Sequence, residues 1–501
     1  MWQDLSYVGF AAILAAVTVA AVGSVQVIRS KTLPLPPGPP GHWLSGNKMP
    51  ASYAWRQFAE WTKEYGPVFS LRQGQRTYII IGRYQAAMDI MEKEGGSLVD
   101  RPLTISAGET YSGGMRMLLA RAGSRFKKLR RALHAQLQAK IAETYEPIQM
   151  RAAKDVILDI LNDPQQHQMH VKRYAASVIM SITYGKTTPT TYSDPDVVKI
   201  GNYQRRLGTM LRPGAYLVDT YPILRYLPGY LSQLKEWHQE ELAFYKGQVN
   251  VVREQMAEGR ARPSFAKYLL EKQAEYELND AELAYLAGSM FVAGSDTTAS
   301  AITIMIMAAA CHPDTLVKVH EELDLVVGRD RAPTFEDWGS LPHVEAFMLE
   351  SFRWRPVSIG GFAHRATSDI LWNGYVIPSG ATVIGNHWAI SNDPDAYPNP
   401  ERFDPLRWLD EDGKIREDLK VFTYGFGRRV CPGQHVANRS VFLNTALILW
   451  AFRISENPSA PIDTMAFSDT ANMHAAPFEA KFEPRVPVEK IQKLLEGYGD
   501  A

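Results

Sequence analysis

The residues best equipped for chemistry crowd into one short loop, FTYGFGRRVCPG, at residues 422–433. It holds Cys431, one of only 2 cysteines in 501 residues; the other is Cys311. Two thiols so far apart build neither a disulfide framework nor a four-thiolate metal site. The plain alternative is a pair of buried thiols in a reducing compartment. A cysteine ligates metal as the thiolate, which needs positive charge or free helix amides nearby. The stretch behind it, PGQHVANRSVFLNTALILWAF, reads as a helix starting almost at the cysteine, with Pro432 in its first turn. Arg429 offers a planar donor for carboxylates. Gly425, Gly427 and Gly433 allow sharp turns and close approach to a flat ligand. Locally, everything favours an anionic sulfur facing a bulky anionic cofactor.

Two further constellations carry charge in apolar surroundings. The segment LAGSMFVAGSDTTASAITIMIMAAAC is a long helix that Asn279 or Asp280 caps, with Glu282 in its first turn and Pro313 beyond its end. It is apolar enough for a membrane span, and a helix buried in a large domain has the same hydropathy. Asp296 and Thr297 lie in its middle, where an acid must be paired, hydrated or functional. Gly294 weakens the helix by about 1 kcal/mol relative to alanine and suits a local distortion that could hold water. A satisfied buried polar cluster is the competing reading. Second, Glu350 and Arg353 share a face of the helix in VEAFMLESFRWRP. Exposed, such a pair adds only about 0.2–0.5 kcal/mol. The apolar flanks predict burial instead, and buried charges need more partners, for which Arg402 is a candidate.

The elements that must position these groups follow from composition and pattern. The chain has 54 Lys plus Arg and 54 Asp plus Glu, so no global charge directs it to nucleic acid. Residues 5–28 run 24 positions without a charge, long enough to span a bilayer, and Arg29 and Lys31 follow them. A cleavable signal peptide is the rival, but it requires a basic segment before a shorter core. The segment PLPPGPPG at 34–41 has 5 prolines in its 8 positions and reads as a stiff spacer. Next, VFSLRQGQRTYIIIG predicts paired strands, residues 115–355 are dominated by helices, and the tail beyond 455 is strand-like. The expected organisation is an anchor at 1–31, a hinge at 32–41 and a catalytic domain at 42–501. That domain is mainly α, with a smaller β part drawn from both ends. No Gly-x-Ser-x-Gly or Walker loop occurs, and His320-Glu321-Glu322-Leu323-Asp324 lacks the second histidine of a zinc helix.

Taken together, these motifs resemble the cytochrome P-450 family of heme-thiolate monooxygenases, in its fungal microsomal branch. The family's heme loop reads Phe-x-x-Gly-x-Arg-x-Cys-x-Gly; here Gly427, Arg429, Cys431 and Gly433 match, Ala437 takes the small-residue position, and Tyr424 replaces the phenylalanine. Ala293-Gly294-Ser295-Asp296-Thr297-Thr298 fits the oxygen-side helix. Glu350 and Arg353 fit Glu-x-x-Arg, with Arg402 of Pro400-Glu401-Arg402-Phe403 as the companion arginine. The resemblance covers nearly the whole chain and implies the P-450 fold. It implies heme b with Cys431 as the axial iron ligand, and Thr297 and Asp296 as the groups that hold and protonate the oxygen being activated. Heme propionates would meet Arg429, Arg130 and His364, with Arg365 a neighbouring candidate, and Glu350, Arg353 and Arg402 would form a structural network behind the heme. The family's Trp-x-x-x-Arg is here Phe126 to Arg130, so one indole N–H to a propionate is missing and looser heme binding is expected. The basic run KKLRR at 127–131 reads as a solvated face, or, by resemblance, as part of a reductase-docking surface made of Lys127, Lys128, Arg131 and Arg428.

The implied activity is insertion of one oxygen atom from O2 into a lipophilic small molecule, in fungal secondary metabolism or xenobiotic oxidation. Electrons would come from NADPH through a reductase, with cytochrome b5 as a second donor, at the endoplasmic reticulum membrane. A heme-thiolate isomerase or dehydratase acting on an oxygenated lipid without O2 is the alternative, and a noncatalytic heme sensor or two-span membrane protein is a third.

Overall fold

A computed structural model describes residues 33–187, 193–212 and 214–500. The expected membrane anchor, residues 1–31, lies outside the described residues. The proline-rich segment enters at Leu33 and is laid against strands rather than standing free. The carbonyls of Pro36 and Pro37 accept from the Oγ and N of Ser70, and that of Pro34 from the amide of Val376. Gly38 permits this contact, because a Cβ there would stand 1.9 Å from the Ser70 carbonyl oxygen.

Among the described residues, ten helices exceed ten residues. They are α1 (Ala54–Tyr65), α2 (Ser124–Leu137), α3 (Glu146–Asn162), α4 (His167–Tyr184), α5 (Pro195–Met210), α6 (Ser232–Ala257), α7 (Asp280–Cys311), α8 (Leu316–Val326), α9 (Pro342–Trp354) and α10 (Gln434–Ala451). The predicted hairpin forms as β1 (Val68–Gln73) antiparallel to β2 (Arg76–Ile81), with Val68 opposite Ile81. The remaining strands are β3 (His364–Arg365), β4 (Ile370–Trp372), β5 (Tyr375–Ile377), β6 (Thr382–Gly385), β7 (Phe452–Glu456) and β8 (Ala480–Pro484). The four-stranded sheet runs β1-β2-β6-β3, with β6 parallel to β2. The tail strands do not join it: β7 and β8 pair with each other. The β part therefore comes from the N-terminal side and from residues 364–385, with the tail as a separate hairpin.

At the centre lies α7. Asn279 caps it with a full capping box, its side chain accepting from the Glu282 amide while Glu282 accepts from the Asn279 amide. The helix is long and apolar enough to cross a membrane, but 72% of its most apolar window is buried inside the fold. It packs against α4, α5, α6, α9 and α10, so its hydropathy is that of a core helix. Gly294 has a packing reason: a Cβ there would come within 2.6 Å of Ile179 on α4. The expected local distortion is absent, since α7 is unbroken from Asp280 to Cys311.

Candidate active site

The thiol loop is built by backbone geometry. Gly425 and Gly427 have φ of +80° and +50°, a region that side chains strain to enter. The amide of Cys431 donates to the Tyr424 carbonyl at 2.9 Å, closing the loop, and Gly427 N–H is fixed by Glu92 at 3.0 Å. Gly433 caps α10 with ordinary φ, and a Cβ there would make only an ordinary contact with Cys431 Sγ at 3.9 Å. Tyr424 finds the partner its hydroxyl requires, donating to Asn438 Oδ1 at 2.6 Å.

The electrostatics correct one sequence inference. Burial pushes the Cys431 thiol up, and the Gly433 amide and the Arg130 guanidinium oppose this without reversing it. The loop alone does not make the sulfur anionic; a cation bound to it would.

Around this loop converge more buried and half-buried cations than the described acids neutralise. Arg429 donates only to main-chain carbonyls, with Nε at 2.6 Å from Val99 O and Nη2 at 2.7 Å from Ala120 O. Its guanidinium lies 3.6 Å from the Phe126 ring centroid, so Phe126 serves as a cation–π floor where the sequence showed only a missing N–H. Arg130 Nη2 donates to Val430 O at 2.8 Å, and its buried Nη1 has no partner. Arg101, which sequence reasoning missed, donates to the carbonyls of Ala363 at 2.6 Å and Leu118 at 3.1 Å. Burial lowers all three arginines, Arg101 to about 9 and Arg429 to about 10. The acid beside them, Asp100, is shared with Arg365 at 3.2 Å and Arg121 at 3.5 Å. His364, on β3, lies 2.7 Å from Leu98 O through Nδ1, and burial, then Arg101, pushes it down to about 3. Three guanidiniums without their own carboxylates fit an anionic group. Arg365 is directed to Asp100 instead.

On α7, Thr297 Oγ1 donates to the Ala293 carbonyl at 2.9 Å. Asp296 is held from outside its helix: His474 Nε2 lies 2.7 Å from Oδ2 and 2.8 Å from Oδ1. The polar cluster is thus satisfied, by a residue that no motif announced.

The Glu350 network also differs from expectation. Arg353 grips Glu350 through two 2.8 Å bonds, both side chains fully buried. The second guanidinium is not that of Arg402, whose side chain is exposed and whose carbonyl alone takes part, accepting from Arg353 at 3.3 Å. Arg407 Nε reaches Glu350 at 3.1 Å, joined by Trp408 Nε1 at 2.9 Å and the Asp404 amide at 2.8 Å. The physical reason is the short 3-10 turn Pro405–Trp408, capped by Asp404, which points those two donors inward. The signal was an arginine and a tryptophan side by side, two donors suited to a carboxylate with spare lone pairs.

Of the basic run, Lys128 is committed to Glu282 at 2.8 Å and to Glu277 O at 2.9 Å. Lys127, Arg131 and Arg428 are exposed, with Arg131 lying over the Tyr276 ring.

Comparison with known proteins gives one answer throughout. Residues 36–482 match the family described as Cytochrome P450. Cytochrome P450 monooxygenase 64 of Postia placenta is 59% identical over 467 residues, covering 93% of this chain and 94% of that protein. Cytochrome P450 monooxygenase 113 of the same fungus is 55% identical, covering 96% of each chain. Cytochrome P450 monooxygenase fogE of Aspergillus ruber is 32% identical, covering 97% of this chain and 94% of its own.

Proposed function

Since the chain belongs to the cytochrome P450 family and is a heme-thiolate monooxygenase, we propose that it hydroxylates, or similarly oxygenates, a lipophilic small molecule with Cys431 as the iron ligand. The observation that carries this assignment is the thiol loop beside the buried Arg101 and Arg429 and the half-buried Arg130, three cations short of anions. Those arginines and His364 would hold the heme carboxylates. Bound heme would supply the reductive activation of dioxygen, which a thiolate ligand from Cys431 favours. Asp296 and Thr297 would hold and move protons through the Asp296 carboxylate and the Thr297 hydroxyl. Glu350, Arg353 and Arg407 fix the chain beneath the loop.

Electrons from NADPH would arrive through a reductase, with cytochrome b5 as a second donor, docking on Lys127, Arg131 and Arg428; Lys128 is withdrawn because Glu282 holds it. Residues 1–31 would anchor the protein in the endoplasmic reticulum membrane. The exposure of Tyr221, Ile223, Tyr226 and Leu227 within one short stretch supports a lipid-facing segment. The substrate class is apolar, and the setting is secondary metabolism or xenobiotic oxidation. The test is expression with a fungal reductase, followed by a screen of lipophilic compounds for heme spectral shifts and oxygenated products. Loss of the thiolate-type band in the reduced CO complex of the wild-type protein would refute the Cys431 assignment.

A further inference from the structure

Asp296 is held by one side chain from a distant part of the chain, His474, which contacts both carboxylate oxygens through Nε2. The histidine is fixed from behind. Its Nδ1 lies 3.1 Å from Ser468 Oγ and 3.4 Å from Thr470 Oγ1. Thr470 already donates to the carbonyl of Asn472, which leaves Ser468 as the exchangeable partner. The loop itself is pinned: Phe467 bridges to Ala475, Ser468 N donates to His474 O at 2.9 Å, and Met473 N donates to Val357 O at 2.7 Å. His474 and Ser468 also line a cleft of about 590 Å³ open to solvent between this loop and α1. The His474 side chain is 35% exposed, while that of Asp296 is 18% exposed. One ring nitrogen thus faces a solvent-lined hydroxyl and the other faces the acid of the oxygen-side helix.

We propose that His474 is the positioning and proton-relay residue through which Asp296 exchanges protons with solvent. The inference rests on the reading of Asp296 given above. The reaction R–H + O2 + 2 electrons + 2 protons → R–OH + H2O consumes protons at the site. A neutral imidazole with its proton on Nε2 donates to Asp296 and accepts at Nδ1 from the Ser468 side, so a proton entering at Nδ1 lets one leave at Nε2. Net transfer moves one proton from solvent to the carboxylate and leaves the ring neutral. Electron pairs whose two protons arrive from bulk water rather than at the positioned acid are lost as peroxide: O2 + 2 electrons + 2 protons → H2O2. The charged and titratable groups facing the pair are few. Arg56 on α1 donates to the Met465 carbonyl at 3.1 Å, Tyr53 lines the same cleft, and Asp469 accepts from the Tyr53 amide at 3.0 Å.

The test uses His474→Gln, whose amide still donates to Asp296 but cannot relay a proton, beside His474→Phe, Asp296→Asn and the double variant. All are prepared as heme-loaded protein with a wild-type reduced CO spectrum as the measure of folding. Expected for His474→Gln is a drop in product per electron pair of about tenfold, less than the ~100-fold floor for deleting a general acid, because water can still enter by the cleft. Peroxide rises to match and the solvent deuterium isotope effect grows. His474→Phe does the same, and the double variant is no worse than Asp296→Asn. Independently of turnover, thermal midpoints of wild type, His474→Phe, Asp296→Asn and the double variant of those two are non-additive, reporting the pair itself. Wild-type coupling and isotope effect in His474→Gln, with Asp296→Asn impaired, overturn the relay and leave the role of Asp296 standing. Unimpaired Asp296→Asn overturns both. Additive midpoints overturn the contact.

Discussion

The Glu350 network yields the sharpest prediction, because sequence and structure nominate different arginines. Truncating Arg402 to alanine removes an exposed side chain and keeps the carbonyl that Arg353 and Arg407 use. Truncating Arg407 removes a side chain only 8% exposed and its 3.1 Å bond to a fully buried carboxylate. Glu350 then keeps Arg353, Trp408 and the Asp404 amide, so its charge remains compensated. The charged hydrogen bond to Glu350 alone accounts for about 1.5–3 kcal/mol, and the bonds to the Pro398 and Arg402 carbonyls are lost with it. Glu350→Ala instead strands Arg353 in a fully buried site and costs about 3–5 kcal/mol. Arg402→Ala stays within about 0.5 kcal/mol. The assay is urea unfolding of the heme-loaded proteins by far-UV circular dichroism, with heme retention read in parallel. The expected order of destabilisation is Glu350, then Arg407, then Arg402. A cost at Arg402 equal to that at Arg407, or a neutral Arg407→Ala, would refute the reasoning.

Further perturbations test other sites. Phe126→Trp adds the missing N–H while keeping a ring under Arg429, and heme retention measured by apo-myoglobin transfer is expected to rise; unchanged retention sinks that idea. Tyr424→Phe removes the 2.6 Å bond to Asn438 and is expected to cost about 1 kcal/mol in urea unfolding without shifting the reduced CO band. Glu241 is fully buried, gripped by Arg116 at 2.6 Å, with Tyr245 donating at 2.8 Å and Tyr285 also bonded to it. Glu241→Ala leaves Arg116 uncompensated and should cost about 3–5 kcal/mol, read as a lower thermal midpoint. Acid sensitivity follows from His167 and His387, both 1% exposed and both pushed by burial from 6.5 down to about 4. The unfolded chain binds more protons below pH 6.5, so their stabilisation is complete above 6.5 and is lost as pH falls toward 4. His167→Gln is expected to flatten that loss in pH-dependent unfolding, and an unchanged slope would count against the burial argument.

The sequence by itself determined whatever depends on neighbours along the chain. The cap and extent of α7, the β1–β2 hairpin, the glycine-shaped thiol loop and the Glu350–Arg353 pair are set by spacing over a few residues, where one helix turn or one tight turn fixes the geometry. Gly294 shows the limit: its presence was legible, but its reason is Ile179 on another helix. Partners across the fold were decided only by tertiary structure. Arg407 rather than Arg402 reaches Glu350 because a 3-10 turn aims it inward. Arg101 reaches the thiol side by bonding to carbonyls 262 residues away. Burial, which the packed fold decides, pushes the Cys431 thiol up where loop composition alone pointed down. His474 meets Asp296 across 178 residues of chain. Local pattern constrains dihedrals and faces, but a buried charge takes its partner from whatever surface the packed core brings against it, and that choice is made only when the chain closes on itself.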